Sequence, residues 1–351
     1  TIMTTRTLII LISALVIFSL LAILGQQEQQ PANADAVVFL PTLKDSLDEI
    51  NRIELVGAGG EMIATLNRGL EGWSIMERDN YPADSQKIRH MLLSLAEAKI
   101  LEAKTSNSEW HDRLGVEAIE NTNAGGISVS LAGADTLVNI ILGNTVGDNQ
   151  AYIRQVDESQ SYLIDRDPRV DGSVTDWLDT EVLTIARERI QRITITHPDG
   201  EALTVFKEDT EQANFTVDSI PAGRELQYDS VANVIGNVLS NLNLQDVALR
   251  ADDDTPVTVT EFRTFGGLII TAESIEREEN AWVAFRASYE SPSQLIGEEG
   301  SSTQETALGV EAEARELNQR LNNWRYHVAT YQADQISRRM SALLSPLPDE
   351  S

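Results

Sequence analysis

No cysteine occurs among the 351 residues of the sequence. The chain therefore has no disulfide framework, thiol nucleophile, Fe–S cluster or cysteine-ligated zinc site. Basic residues are also scarce, because 27 Lys+Arg stand against 55 Asp+Glu and leave a formal net charge of -28. Nucleic acids and anionic surfaces are bound through clustered Lys and Arg, so this balance excludes nucleic acid as a partner.

The common motifs of phosphate and acyl chemistry are missing as well. No glycine-rich turn ends in Gly-Lys followed by Ser or Thr, which a nucleotide-binding P-loop requires. No Gly-x-Ser-x-Gly elbow indicates a serine hydrolase. The run Gly57-Ala58-Gly59-Gly60 is similar to the start of a dinucleotide fingerprint, but Met62 replaces its third glycine. Because a strand pattern follows directly, we interpret the run as a hairpin turn.

Metal-binding patterns are weak. The four histidines, at positions 90, 111, 197 and 327, are scattered and belong to no metal-binding helix motif. Acidic stretches at 165–172 and 252–254 are candidates for calcium, which prefers carboxylate oxygens. A calcium loop starting at Asp167 needs a carboxylate at its twelfth position, where Leu178 stands. We therefore assign no catalytic, cofactor-binding or metal-ligating residue and expect no cofactor.

An uncharged apolar run extends from Leu8 to Leu24. As a helix it is about 26 Å long, close to the ~30 Å hydrocarbon core of a bilayer. Arg6 precedes the run and the first acidic residue, Glu28, follows it, which favours a cytoplasmic N-terminus. The pattern predicts a single-pass protein of the bacterial inner membrane, anchored through residues 8–24, with the bulk of the chain periplasmic. The alternative is a signal peptide cleaved after Ala32-Asn33-Ala34.

The rest of the chain contains an internal repeat. The strand pattern of residues 50–55 (INRIEL) returns 140 residues later at 190–195 (IQRITI), with alternating apolar residues in both copies. In each copy a turn, a second strand and a short third strand led by an aromatic residue follow, at 73–75 and at 215–217. Apolar residues at helical spacing then begin after Ser85 and after Ser230.

These patterns predict an α+β fold. After the transmembrane helix, we expect two tandem repeat modules, each a mainly antiparallel sheet with a helix packed on one face. The predicted divisions are a cytoplasmic tip and anchor at 1–26, a stalk at 27–48, a first module at 49–180 and a second at 181–351. The second module is expected to contain a helical insertion near 292–323 and a C-terminal helix.

Several short segments, in order along the chain, resemble a known family. They are Phe39-Leu40-Pro41-Thr42-Leu43, Trp73-Ser74-Ile75, Tyr81-Pro82-Ala83-Asp84, Leu114-Gly115-Val116, Leu142-Gly143, Ala151-Tyr152-Ile153-Arg154 and Trp324-Arg325-Tyr326-His327-Val328. The family consists of membrane-anchored domain-of-unknown-function proteins often encoded beside gliding-motility-type ABC transporters. One departure is that no proline follows Val116 within a few residues.

The resemblance implies a non-enzymatic accessory subunit of an ABC-2 or gliding-type transport or surface-assembly system. Its implied partners are an ABC-type permease and its ATPase, together with an envelope polymer or protein. Two alternatives stay open on the residues themselves. One is an anchored hydrolase that uses two carboxylates in a groove between the modules, since 55 acidic residues always offer pairs. The other is a scaffold that binds envelope glycans.

Overall fold

The computed structural model describes residues 37–277, 280–291 and 301–347. Strands dominate it and form two nine-stranded sheets, in which every strand pair is antiparallel. With strands numbered along the chain, the first sheet contains β1 (Arg52–Val56), β2 (Met62–Gly69), β3 (Gly72–Ile75), β4 (Tyr81–Pro82), β5 (Ile100–Ala103), β6 (Ile127–Ala132), β7 (Leu137–Val146), β8 (Gln150–Gln155) and β9 (Ser161–Ile164).

The second sheet follows in the chain. It contains β10 (Glu181–Leu183), β11 (Ile190–Thr196), β12 (Ala202–Phe206), β13 (Thr216–Val217), β15 (Leu242–Leu249), β16 (Thr258–Thr264), β17 (Leu268–Arg277), β18 (Asn280–Tyr289) and β19 (Trp324–Val328). A separate pair joins β14 (Arg224–Leu226) to β20 (Leu344–Pro346). The α-helices are α1 (Leu43–Ser46), α2 (Ser85–Glu97), α3 (Asn233–Asn237), α4 (Ser301–Leu321) and α5 (Thr330–Ile336).

The two sheets share one strand order. The first runs β4-β3-β2-β1-β6-β7-β8-β9-β5, and the second, written from its other edge, runs β13-β12-β11-β16-β17-β18-β19-β15-β10. When the two orders are aligned so that β3 corresponds to β13 and β5 to β15, eight consecutive strands match. The first sheet adds β4 at one edge, and the second adds β10 at the other.

Alternating side chains explain why these segments are strands. In β1, Ile53 and Leu55 are fully buried, whereas the residues between and beside them are partly exposed. Their cross-strand partners on β2 are Leu66 and Ala64, which are also fully buried. A period of two puts one face of each strand into the core. The buried side chains of both sheets form one continuous hydrophobic cluster.

The two helices predicted to pack on the sheets differ in how fully they form. Helix α2 buries Ile88, Met91 and Leu95, but its N-cap is Asp84, whose carboxylate accepts from two backbone N–H groups of the first turn. The helix predicted after Ser230 is reduced to the five residues of α3 and a 3-10 turn. Its sequence is rich in Val and Asn and contains Gly236, all poor helix formers.

The predicted α+β class, with one helix packed on each module, is therefore wrong. The described chain is mostly antiparallel sheet with few helices. The long helix α4 falls within the helical insertion predicted near 292–323. It lies against β18, where Asn318 Oδ1 accepts from the N–H of Ala287 at 3.2 Å. Because β18 pairs with β19 only from Trp282 to Ala284, this contact satisfies a backbone donor beyond the end of the pairing.

The prediction of a transmembrane helix is also contradicted. No helix within the described ranges is both long enough and apolar enough to cross a membrane. Helix α4 has sufficient length, but Glu311, Glu313 and Glu316 lie along it. The single-pass architecture and the inner-membrane, periplasmic location that followed from it are thus not supported. The apolar run from Leu8 to Leu24 lies outside the described residues.

The loop between β5 and β6 is held against the sheet by glycines and one arginine. A Cβ on Gly143 would lie 2.2 Å from the carbonyl oxygen of Leu114, and one on Gly126 would lie 2.1 Å from that of Gly115. Arg154 is buried and donates from its Nε to the carbonyl of Val116 at 2.7 Å. The loop therefore approaches the strands at a distance that only glycine permits.

We predict that Gly143→Ala lowers the free energy of unfolding by about 1–3 kcal/mol, because backbone atoms must move to admit the methyl group. Urea unfolding measures the change. Gly309→Ala is the matched control, because it lies inside α4 with open space around its Cα. That substitution should leave stability unchanged or raise it by up to about 1 kcal/mol through helix propensity. Equal effects at both glycines would contradict the close packing of the loop.

Candidate functional site

The segment between the two sheets pairs with an edge of the first. Leu178 forms an isolated antiparallel bridge with Ala83, and Asp179 donates its N–H to the carbonyl of Pro82 at 3.0 Å. The chain then enters β10 at the edge of the second sheet. The first and second sheets therefore meet at β4.

Aromatic side chains fill this junction. The ring of Tyr81, on β4, lies edge-to-face on Trp324 with 5.0 Å between ring centroids, and 6.3 Å from the ring of Tyr326. Tyr81 is 6% exposed and Tyr326 is 1% exposed. Burial raises the pKa of both phenols, because a phenolate would lose its hydration. The rings close the space between the sheets with apolar surface.

An ion pair beside the rings also links the two sheets. Arg78 donates from Nε to Asp246 Oδ1 at 2.6 Å and from an Nη to Oδ2 at 3.0 Å. Both side chains are about three-quarters buried. The hydrogen bond to Asp246 raises the pKa of Arg78 above its ordinary value. A two-point contact of this kind fixes orientation as well as distance, and it joins residues 168 positions apart.

A cleft of about 690 Å³ opens next to the junction. Arg250 and Arg286 lie in its wall, and each pairs with one carboxylate oxygen of Glu273. The Glu273 side chain is only 11% exposed, so its charge is enclosed by the two guanidinium groups. The residues that line the cleft are Asp79, Leu249, Arg250, Ala251, Asp252, Asp254, Arg286, Asn322, Asn323 and Trp324.

A second ion pair lies at the same cleft. The fully buried side chain of Asp254 accepts from Arg325 at 2.6 Å and from the N–H of Ala251 at 2.8 Å. The Arg325 guanidinium also lies 5.5 Å from the ring centroid of Trp282. Its Nε is buried and has no hydrogen-bond partner within the described structure. Arg325 thus keeps one donor beyond those that it uses on Asp254.

The cleft presents amide and guanidinium groups beside an aromatic ring. The carboxylates of Asp246, Glu273 and Asp254 each accept from arginine, so they neutralise buried cations. The amides of Asn322 and Asn323 make no side-chain hydrogen bond within the part of the chain described here. Amide groups beside an aromatic ring and guanidinium groups are typical of sites that recognise polar ligands.

Residues that the sequence singled out have structural roles elsewhere. The glycine run 57–60 forms the turn between β1 and β2, and Gly59 and Gly60 donate to the carbonyls of Asn121 and Ile119 at 2.9 and 3.2 Å. These donors are therefore occupied by protein rather than presented to a phosphate. His111 and His197 are buried, His90 is exposed on α2, and His327 lies 5.5 Å from the Trp282 ring.

The acidic stretches are engaged with the protein. Asp165 accepts from the N–H of Lys99 at 2.8 Å, and Asp167 accepts from the hydroxyl of Thr145 at 3.0 Å. In the second stretch Asp254 is the partner of Arg325. Among the described residues no group of three or more His, Asp or Glu side chains could hold a metal ion.

Sequence reasoning missed the residues of the cleft. Arg78, Arg250, Glu273 and Arg286 belong to no motif, and the ion pairs that they form join residues 168, 23 and 13 positions apart. Trp324 and Arg325 carried a signal as part of the segment 324–328 that resembles the known family, and Asp252 and Asp254 carried one only as members of an acidic stretch considered for calcium. Ion pairs between strands produce no periodic pattern in the sequence, and with 55 acidic residues the carboxylate that pairs with a given arginine cannot be identified from the sequence.

The buried tyrosines predict a loss of stability in alkali. The ordinary pKa of tyrosine is about 10, and a pKa raised in the folded state means that ionisation favours the unfolded chain. The contribution is fully present below pH 10 and is lost as the pH rises further. We expect each tyrosine to remove about 1.4 kcal/mol by pH 11.

Urea unfolding at pH 9 and pH 11 measures this loss. The double variant Tyr81→Phe and Tyr326→Phe should lose less stability than the wild type over that interval, because neither ring can ionise. Tyr331→Phe serves as the control, since Tyr331 is 67% exposed and should leave the pH dependence unchanged. A double variant with the same alkaline loss as the wild type would show that these phenols are not protected.

Comparisons with known proteins identify a family without assigning an activity. No curated protein and no solved structure matches the chain. A family model does match residues 73–261, which is more than half of the sequence and extends from β3 into β16. The chain belongs to the family described as a domain of unknown function (DUF4340).

Proposed function

We propose that this protein is a non-enzymatic binding subunit that recognises a polar ligand or partner in the cleft beside Trp324. The observation that carries the proposal is the filled junction, in which Tyr81 packs on Trp324 and Arg78 pairs with Asp246. A hydrolase that acts through two carboxylates needs them across an open groove with space for substrate between them. Aromatic rings occupy that space here.

Two carboxylates at the cleft, those of Glu273 and Asp254, support the same proposal. A general acid or base must reach the proton that it transfers, at about 2.6–3.2 Å or through one water molecule. Glu273 has one arginine on each carboxylate oxygen, and Asp254 is fully buried against Arg325. These groups support the shape and charge of the cleft, while Arg286, with a half-exposed side chain, is placed to contact a ligand.

We further propose that the protein works with an ABC-type permease and its ATPase, as an accessory subunit in transport or surface assembly. The support for this step is the family resemblance carried by the segments from Phe39 to Val328. Two of those segments, at 81–84 and 324–328, meet at the junction. The shared segments therefore build the surface that carries the cleft.

Affinity purification of the tagged full-length chain from its native cells in mild detergent tests the partnership. We expect an ABC ATPase and a multi-span permease to be enriched together, as identified by mass spectrometry. Arg286→Gln should reduce their recovery if the cleft is the contact. Arg315→Gln is the matched control, because Arg315 is an exposed arginine on α4 outside the cleft. Recovery of the chain without either subunit would contradict the partnership.

A glycan is the ligand class that the cleft lining favours as a second candidate. Asn322, Asn323 and Arg286 offer planar hydrogen-bonding groups beside the ring of Trp324. Such groups can contact neighbouring hydroxyls while the ring covers an apolar sugar face. The net charge of -28 favours neutral polymers over strongly acidic ones.

Titration calorimetry against a panel of neutral and acidic bacterial surface polysaccharides tests glycan binding. We expect saturable binding to a neutral polymer, weakened about tenfold by Arg286→Gln through the loss of a charge-assisted hydrogen bond. Arg315→Gln should bind as the wild type does. Absence of saturable binding across the panel, or equal affinity in Arg286→Gln, would exclude the cleft as a glycan site.

A further inference from the structure

Two arginines place an excess of positive charge in one part of the cleft wall. Arg250 directly follows β15 and Arg286 lies on β18, and each donates to a different carboxylate oxygen of Glu273. Because both contact one carboxylate, the two guanidinium groups are close neighbours. Neither guanidinium has another hydrogen bond within the described chain. The group of three side chains therefore keeps one positive charge and several N–H donors for a ligand.

Two carboxylates of the cleft lining are not neutralised by arginine. Asp252 is exposed just beyond Arg250, and Asp79 is exposed on the turn before β4. Neither carboxylate forms an ion pair in the part of the chain that the structure describes. Asp254 also lines the cleft, but it pairs with Arg325. The cleft therefore offers acceptors for a cation as well as donors for an anion.

An apolar patch lies in the same cleft. Leu249 and Trp324 are directly opposite each other on β15 and β19, so their side chains share one face of the sheet. Leu249 is 46% exposed although its side chain is large and apolar. Tyr81 packs edge-to-face on Trp324 and holds that ring in place. Charged groups around an apolar patch favour a ligand that has both charged and apolar parts.

We propose that the cleft binds a small zwitterion of the amino-acid type with an apolar side chain. This inference rests on the binding function proposed above and names the class of its ligand. The ligand carboxylate would accept from Arg250 and Arg286, whose planar guanidinium groups suit carboxylate oxygens. The ligand ammonium group would donate to the unpaired carboxylates of the lining. The apolar side chain would cover Leu249 and Trp324.

The size and the charge of the protein agree with such a ligand. The cleft volume of about 690 Å³ is within the range of roughly 300–1,000 Å³ that is common for small-molecule sites. A zwitterion has no net charge, so the overall charge of -28 does not oppose its entry. A free apolar amino acid and a short apolar peptide share this chemistry, and they differ in the separation of their two charges.

Titration calorimetry of the full chain with L-leucine and two analogues tests the ligand class. N-acetyl-L-leucine lacks the ammonium group, and L-leucinamide lacks the carboxylate, while both keep the side chain. We expect saturable binding of L-leucine at one site and affinities about tenfold lower for each analogue, because each loses a charge-assisted hydrogen bond. Leucyl-leucine forms a second arm, and tighter binding there would assign the cleft to a peptide.

Variants of the cleft then connect each ligand charge to its partner. Arg286→Gln should weaken L-leucine binding about tenfold and reduce the difference between L-leucine and L-leucinamide, because the ligand carboxylate has lost a donor. Asp252→Asn should likewise reduce the difference between L-leucine and N-acetyl-L-leucine. The matched controls are Arg315→Gln on α4 and Asp135→Asn in the turn between β6 and β7. Both are exposed outside the cleft and should bind as the wild type does.

The analogue series uses the wild type, so its result does not depend on the folding of a variant. Absence of saturable binding of both L-leucine and leucyl-leucine, or equal affinity for L-leucine and its two analogues, would overturn the zwitterion. If Arg286→Gln still reduces polysaccharide binding or recovery of the transport subunits, the binding function of the cleft stands and its ligand class is wrong. If Arg286→Gln changes none of these measurements, the proposed function of the cleft fails as well.

Discussion

The contact between Tyr81 and the pair Trp324 and Tyr326 is the interaction on which the arrangement of the two sheets depends. It places the edge strand of the first sheet against β19 of the second, and the Arg78–Asp246 ion pair adds a contact with the neighbouring strand β15. The rings provide apolar burial, which has little directional preference, and the ion pair provides direction. The cleft lies beside this contact because Trp324 belongs to both.

Scarcity of cations gives each buried arginine a definite role. With 27 basic residues against 55 acidic ones, carboxylates outnumber the cations that they can pair with. Arg78, Arg250, Arg286 and Arg325 accordingly occur in ion pairs around the junction. Buried pairs contribute more to specificity of arrangement than to stability, since desolvation offsets much of their attraction.

The two sheets share eight strands in the same order, and two of the elements that only one sheet has, β4 and α4, lie at the candidate site. Strand β4 is an addition to the first sheet and supplies Tyr81. Along the chain, helix α4 is inserted between β18 and β19 of the second sheet. The two residues that follow the helix, Asn322 and Asn323, line the cleft. The common strands provide a framework, and the added elements carry the groups that can contact a ligand.

The sequence by itself determined strands such as β1 and β11, because the alternation of apolar residues at 50–55 and 190–195 depends only on one face being buried. It also determined helix α2, through the apolar spacing after Ser85, and excluded cysteine and P-loop chemistry. It did not determine the fold class, since the poor helix formers from Ser230 onward gave way to strand β15. Only the tertiary structure decided the junction and the cleft. Those features join residues as far as 168 positions apart, and no local pattern records such a pairing.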